Sequence, residues 1–286
     1  METLGKYVHW VAVCPEVECG LPVPREAMHL FGDPESPRLV TVKTGRDHTD
    51  RMLRWSQGKL AELTTQDLSG FVFKSRSPSS GMKGVKIYTE SGMTSQRGVG
   101  IFAREFMKAF PLLPFEDDGR LSAPLLRENF IERVFVFWRW KEFRKRGGTV
   151  RDLIAFHTDH KLIILSHSPK HYSRLGKLVA GAKGRRRGEV HNEYLEVMME
   201  GLKLIATTKK NTNVLHHMAG FFKEQLTVDE KHELLDLIGQ YYKGILPLIV
   251  PVVLFRHYVH KYDQPYLKRQ YYLNPHPMEL MLRNHV

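Results

Sequence analysis

Residues 111–124 read PLLPFEDDGRLSAP, with three prolines, a glycine and an acidic cluster in one short stretch. Pro111 ends the helical pattern that precedes it, and the composition is that of a connecting segment. The chain reads differently on the two sides of it. Before it, short apolar runs alternate with helical patterns. After it, a period of 3.6 residues sets in and persists. The expected organisation is an α/β domain over 1–115, a linker over 116–125 and an all-α domain over 126–286. A length of 286 residues suffices for two modest domains.

On the N-terminal side, Val8 to Val13 (VHWVAV) reads as a buried strand. Leu39–Lys43, Gly70–Lys74 and Val85–Thr89 are also strand-like. His48–Thr65 and Gly98–Phe110 carry helical spacing, the latter with Ile101, Phe102, Phe106 and Phe110 on one side. Strands alternating with helices favour a small, mostly parallel sheet. On the C-terminal side, helices are expected near 125–146, 149–168, 170–182, 189–207, 212–226 and 228–246, a helical bundle. Thr149 is placed as an N-cap, and Thr227 with Glu230 spells a capping box. The tail from Pro265 is expected to end in a short helix.

Charge follows the same division. Lys plus Arg number 43 and Asp plus Glu 31, a net of +12. Residues 1–120 carry 16 basic and 15 acidic residues, whereas 121–286 carry 27 and 16, together with 12 of the 15 histidines. A near-neutral unit is joined to a strongly basic one, and a basic domain attracts polyanions, nucleic acid foremost. The basic clusters are Lys141, Arg144, Lys145 and Arg146, then Lys183, Arg185, Arg186 and Arg187, then Lys209 and Lys210, then Lys268 and Arg269. Trp138, Trp140, Tyr172, Tyr271 and Tyr272 lie near several of them and are candidates to stack on bases. The alternative is a solvated charged face over core aromatics. His157 with His160 and His167 with His171 have one-face helical spacings, and His216 adjoins His217. No HExxH motif accompanies them, so packing or polar roles compete with metal binding.

Mean hydropathy is −0.35. The longest apolar run, Ile245–Phe255, is interrupted by Pro247 and Pro251 and is too short to span a bilayer. No membrane association is expected. The N-terminus does not read as a signal peptide, and two cysteines cannot build a disulfide framework, so a reducing, cytoplasmic setting is expected. Composition leaves the oligomeric state open.

In α/β domains, chemistry concentrates in loops at the carboxyl ends of strands. Two loops qualify. One follows VHWVAV and contains Cys14, Glu16 and Cys19. The other follows GFVFK and reads Ser75-Arg76-Ser77-Pro78-Ser79-Ser80-Gly81. Cys14 could equally be a small buried filler, and the serine loop only a turn. The spacing of Cys14 and Cys19 matches no zinc motif.

The stretches VHWVAVCPEVECGLPVPRE, FVFKSRSPSSG and RGVGIFAREF resemble the thiouracil desulfurase (TudS) family over roughly residues 1–115. RENFIERVFVFWRW, HTDHKLIILSHSPKHY, LHHMAGFF and YYLNPHPMELMLRNHV resemble the YbgA-like helical domain that often follows it. The resemblance implies a 4Fe–4S cluster held by three cysteines, with one iron open. That iron takes sulfur from a thiolated uracil and water replaces it. Two-domain members are implied to act on thiouridine in tRNA, the helical domain assisting RNA binding. Carried onto this sequence, Cys14 is a cluster ligand, Glu16 an acid/base candidate, and Ser77 and Ser79 orient the substrate. The basic clusters named above hold RNA.

Two departures accompany the match. The family's first cysteine loop falls ahead of Met1, and Ser80 stands where its SPSCG motif has a cysteine. A neutral hydroxyl is a poor ligand for a soft metal, which leaves Cys19 as a substitute-ligand candidate. The chain is therefore read either as a shortened form of a longer desulfidase or as a paralogue that kept the fold and lost the cluster. The second reading makes it a non-catalytic RNA-binding protein with a degenerate cluster site.

Overall fold

Short apolar runs and caps set the elements of the first unit, residues 1–123. In chain order these are α1 (Glu2–Gly5), α2 (Pro15–Glu18), β1 (Met28–Phe31), β2 (Arg38–Thr41), α3 (Thr49–Thr65), β3 (Phe71–Phe73), β4 (Val85–Tyr88), β5 (Thr94–Gly98), α4 (Ile101–Ala109) and β6 (Phe115–Asp117). The computed structural model describes residues 2–91 and 94–285. A four-stranded sheet has the order β2-β1-β4-β5, and β3 pairs with β6 in a second sheet. The β1–β4 and β3–β6 pairings are parallel, while β1–β2 and β4–β5 are antiparallel. The architecture is α/β, with mixed rather than mostly parallel pairing, because two antiparallel pairings flank the one parallel contact of the larger sheet.

Period-two alternation turns Leu30, Leu39, Val85 and Ile87 into the core, all but fully buried. Met52 and Leu63 of α3 and Ile101, Phe102 and Phe106 of α4 pack in the same unit. Phe106 lies 4.2 Å from Phe71 and meets Phe73 edge-on at 5.4 Å, centroid to centroid. Burying one such side chain stabilises by about 1.5–3 kcal/mol.

The expected strand at Val8–Val13 is absent. The segment is irregular, and Trp10 and Val11 are 47% and 40% exposed. Apolar content alone does not make a strand: no described strand pairs with this run, so its backbone groups have no ladder. Conversely, the segment expected as linker carries β6, whose Phe115 to Asp117 pair with Phe71 to Phe73. β1 and β5 were also not evident in the sequence.

The second unit, Pro124–Val286, is all-helical. It comprises α5 (Pro124–Lys145), α6 (Val150–His167), α7 (Pro169–Ala180), α8 (Arg187–Leu202), α9 (Thr208–Ala219), α10 (Val228–Tyr242), α11 (Ile249–Lys261) and α12 (Pro265–Lys268). The Thr149 side chain accepts from Asp152 N and that of Thr227 from Glu230 N, each completing a capping box. Pro251 sits in the first turn of α11, where no intrahelical N–H is lost, so the proline-broken apolar run is a helix. The tail ends in a short 3₁₀ turn, Met278–Leu280. Trp140 stacks on Tyr194 at 5.2 Å within the core. No helix among the described residues is long and apolar enough to cross a membrane.

The polar interior of this unit is centred on Glu132 of α5. It receives His167 Nε2 of α6 at 2.9 Å and Arg283 Nη2 of the tail at 3.4 Å. Arg283 also donates to Tyr272 O at 2.6 Å, and Tyr272 Oη to Asn211 of α9 at 3.0 Å. These bonds tie the tail to three helices.

Candidate active site

The serine loop leaves β3 at its carboxyl end and closes on itself. Ser77 Oγ accepts from the N–H of Ser79 at 3.3 Å and of Ser80 at 3.2 Å, and Gly81 N donates to Ser77 O at 2.7 Å. A Cβ on Gly81 would come within 2.7 Å of Ser77 O, so the turn needs glycine there. The start of α4 rests on the loop: Ile101, Phe102 and Gly100 donate their N–H groups to the carbonyls of Pro78, Ser79 and Gly81 at 3.2, 2.9 and 2.8 Å. The first N–H groups of the helix are thereby consumed in fixing the loop. The end of β6 fixes the other side, where Asp118 accepts from Ser75 N at 2.8 Å and Gly119 N donates to Ser75 Oγ at 2.9 Å.

The second loop arrives through α2. Cys14 is its N-cap and is exposed. Glu18 accepts from Cys14 N at 2.7 Å and pairs with Lys59 of α3 at 3.1 Å, which pins the short helix. Glu16 then faces the serine loop. Ser79 Oγ donates to Glu16 Oε1 at 2.8 Å, and Ser79 lies 2.9 Å from Ser77 Oγ. A hydroxyl has one proton to give. Since Ser79 gives its own to the carboxylate, Ser77 donates to Ser79, forming a relay Ser77 → Ser79 → Glu16. Arg25 Nε holds the other carboxylate oxygen at 2.6 Å. Ser79 is buried, while Glu16 keeps a fifth of its side-chain surface open. Glu16, Ser77 and Ser79 therefore converge. Arg25 completes the group without a sequence signal, since only the fold brings residues nine apart together.

The donors present do not fit a four-iron cluster. Cys14 is the single thiol at a position the family motif uses. Cys19 Sγ donates to Glu16 O at 3.3 Å, and burial pushes its thiol up, against the thiolate a metal needs. Ser80, 9% exposed, offers only a hydroxyl. Among the described residues no group of three His, Cys, Asp or Glu could hold a metal ion. The paired histidines are held by neighbours through Nδ1: that of His157 bonds Tyr194 Oη at 3.0 Å, that of His160 donates to Phe156 O at 2.7 Å, and that of His171 meets Ser168 Oγ at 2.7 Å, while Nε2 of His157 and of His160 is buried without a hydrogen-bond partner among the described residues.

In the helical unit two basic clusters meet. Arg187 Nη1 donates to Gly147 O at 2.9 Å, joining Lys183, Arg185, Arg186 and Arg187 to the α5 end with Lys141, Arg144, Lys145 and Arg146. Several members are paired: Arg185 with Glu193 at 2.9 Å, Arg186 with Glu189 at 3.5 Å and Lys145 with Glu142 at 2.9 Å. Lys268 and Arg269 lie on α12 and its cap, paired with Asp263 and Asp159. Trp140 and Tyr272 are buried and unavailable to bases, whereas Trp138 is 45% exposed.

Residues 1–118 match the 2-thiouracil desulfurase family model, and residues 161–277 match a family described as protein of unknown function (DUF1722). The two matches fit a two-domain description, a 2-thiouracil desulfurase-like domain followed by a YbgA-like DUF1722 domain. Among curated proteins, it is similar to the uncharacterized protein YbgA of Escherichia coli (strain K12), 29% identical over 158 residues, covering 55% of this chain and 94% of that protein. Among solved structures, it is similar to a [4Fe-4S]-dependent thiouracil desulfidase, TudS, with 27% identity, covering 42% of this chain and 75% of that one at a TM-score of 0.34.

Proposed function

We propose that this protein recognises a thiolated uracil within tRNA, the base held by Glu16, Ser79 and Ser77 and the RNA by the basic corner of the helical unit. The observation that carries the reading is the Ser77–Ser79–Glu16 relay at the carboxyl end of β3. Uracil and its thio forms present an N–H donor flanked by two acceptors. When Ser79 turns its proton from Glu16 to the base, a Glu16 oxygen is freed to accept the ring N–H. Arg25, on the other oxygen, keeps the carboxylate oriented during the exchange. At the basic corner, arginine side chains match phosphate oxygens bidentately.

The family match supports a desulfidase-type activity, in which a 4Fe–4S cluster supplies a thiophilic iron. The residues present oppose it, because Ser80 stands in a ligand position. The favoured reading is thus a thiouracil-recognition protein that does not complete sulfur removal on its own residues, and the desulfidase is the second reading. Anaerobic reconstitution with iron and sulfide separates them. The expected result is no iron–sulfur absorbance near about 400 nm for this chain, and a gain when Ser80→Cys is combined with a restored upstream cysteine loop. A stable chromophore with sulfide release from thiouridine-containing tRNA overturns the favoured reading. Titration with tRNA at two salt concentrations tests the phosphate contacts, since affinity independent of salt excludes them.

A further inference from the structure

The outer face of the four-stranded sheet has no role in the site above. Its inner face carries Leu30, Leu39, Val85 and Ile87. The alternate positions build the outer face: His29 and Phe31 on β1, Arg38 and Val40 on β2, Lys86 and Tyr88 on β4. The register sets Phe31 opposite Arg38 on one side and Tyr88 on the other. The His29 ring lies 4.8 Å from that of Tyr88 and 6.1 Å from that of Phe31, and the Arg38 guanidinium sits 5.4 Å over Phe31. All three rings are half-buried, so they form one strip with part of its surface open.

The strip runs into an open cavity of about 340 Å³, whose wall includes His29, Arg76, Pro78, Lys86, Tyr88 and Gln96. Arg76 and Pro78 belong to the serine loop, on either side of Ser77. Arg76 is held at a φ of 56°, in the left-handed region that an arginine seldom occupies. The wall carries two full positive charges and no carboxylate. Arg76 and Lys86 are exposed, and neither has an ion-pair partner among the described residues. Arg38 keeps a loose, exposed pair with Asp47 at 3.8 Å.

Unpaired cations beside a strip of ring faces are complementary to single-stranded nucleic acid. Its phosphates supply the charge, and its unstacked bases supply π-faces that a duplex keeps to itself. We propose that this sheet face is a single-stranded RNA-binding surface for the nucleotides flanking the base in the site. Bases stack on Tyr88 and His29, and phosphates are held by Arg76, Lys86 and Arg38. The inference rests on the tRNA-directed reading for the identity of that base. It adds a specific path by which a strand enters: across β1 and β4, past Arg76, to Ser77 and Ser79.

The test is a fluorescence-anisotropy titration of the full chain with a labelled oligouridylate and, separately, with unmodified tRNA, each at two salt concentrations. Arg76→Ala with Lys86→Ala is expected to weaken oligouridylate binding about tenfold or more and to flatten the logarithmic salt slope by about 1.4, two single-strand phosphate contacts. Tyr88→Leu, which keeps apolar packing and removes the ring, is expected to weaken binding about fivefold or more with the slope unchanged. Thermal melts of both variants report folding. Wild-type affinity in both variants overturns the surface. So does a wild-type chain that binds tRNA but not oligouridylate, and that result leaves the tRNA reading standing. A silent Tyr88→Leu beside an active double variant overturns base stacking in favour of a generic polyanion site. Failure of the iron–sulfide reconstitution changes none of these outcomes.

Discussion

Ser79 Oγ donates to Glu16 Oε1 at 2.8 Å across 63 positions of sequence, joining the two loops that make the site. With Arg25 on the second oxygen at 2.6 Å, both oxygens of the carboxylate are committed and its plane is fixed. Ser79→Ala removes the donor from one oxygen while leaving Arg25 in place. The expected loss of stability is about 1 kcal/mol, that of one hydrogen bond. Calorimetric titration with thiouracil should show an affinity loss of about tenfold, and Glu16→Gln a larger one, because it also strips the charge that Arg25 balances. Unchanged affinity in both variants removes the relay from base recognition.

Gly100 is the position where α4 presses on the serine loop. A Cβ there would lie 2.6 Å from both the carbonyl carbon and oxygen of Ser79 and 2.7 Å from Ser80 N, all backbone atoms that cannot step aside. Gly100→Ala should therefore shift the loop and cost about 1–3 kcal/mol, the usual range for overpacking. Base affinity should fall along with the melting temperature of the first unit. A variant that melts early yet binds thiouracil normally separates the loop from the site.

Six helices of the second unit, α5 to α10, were legible because their signals are local, whereas α11 was hidden by the prolines in its apolar run. Thr149 with Asp152 and Thr227 with Glu230 are written within four residues and act within four residues. β6 was not legible, since Phe115–Asp117 has the composition of a linker and becomes a strand only because β3 offers a parallel partner. Val8–Val13 failed in the opposite sense, apolar enough for a strand but with none alongside. At the site, Glu16, Ser77 and Ser79 could be named from motif resemblance. Arg25, Asp118 and Gly100 could not, because each acts through a contact that exists only after folding.

Glu132→Ala should be among the most damaging single changes to the helical unit. Glu132 is buried, with its charge held by His167 at 2.9 Å and Arg283 at 3.4 Å. Removing one partner of a buried ionic group leaves the others uncompensated and costs about 3–5 kcal/mol. Chemical denaturation should register that loss, with a smaller one for Glu132→Gln, which retains the shape and one acceptor. Near-equal stability of Glu132→Ala and wild type contradicts a structural role for the network.

Acidification should unfold the helical unit from within. Burial holds His157 down to about 4, and His276 likewise to about 4. His160 falls to about 3, through burial first and the nearby Arg139 second. A histidine with a depressed folded pKa stays neutral while its unfolded counterpart takes a proton below about 6.5. Each therefore removes about 1.4 kcal/mol of stability per pH unit as pH falls from 6.5 toward its folded value. Glu128 works the other way, since burial raises it to about 7 and it gains a proton on folding as pH falls from 7 to 4.5. Three histidines against one carboxyl leave a net loss of about 2.8 kcal/mol per unit between pH 6.5 and 4.5. Glu132, held near 2 despite burial by His167 and Arg283, adds to the loss only below about 4.5. Far-ultraviolet circular dichroism should show helix melting between about pH 6 and 4.5, against a stability of about 5–15 kcal/mol for a typical domain. His157→Gln, which keeps a partner for Tyr194 Oη, should flatten the slope by one histidine's share. A chain that keeps full helicity at pH 4, or a variant with an unchanged slope, contradicts the assignment of acid sensitivity to these buried rings.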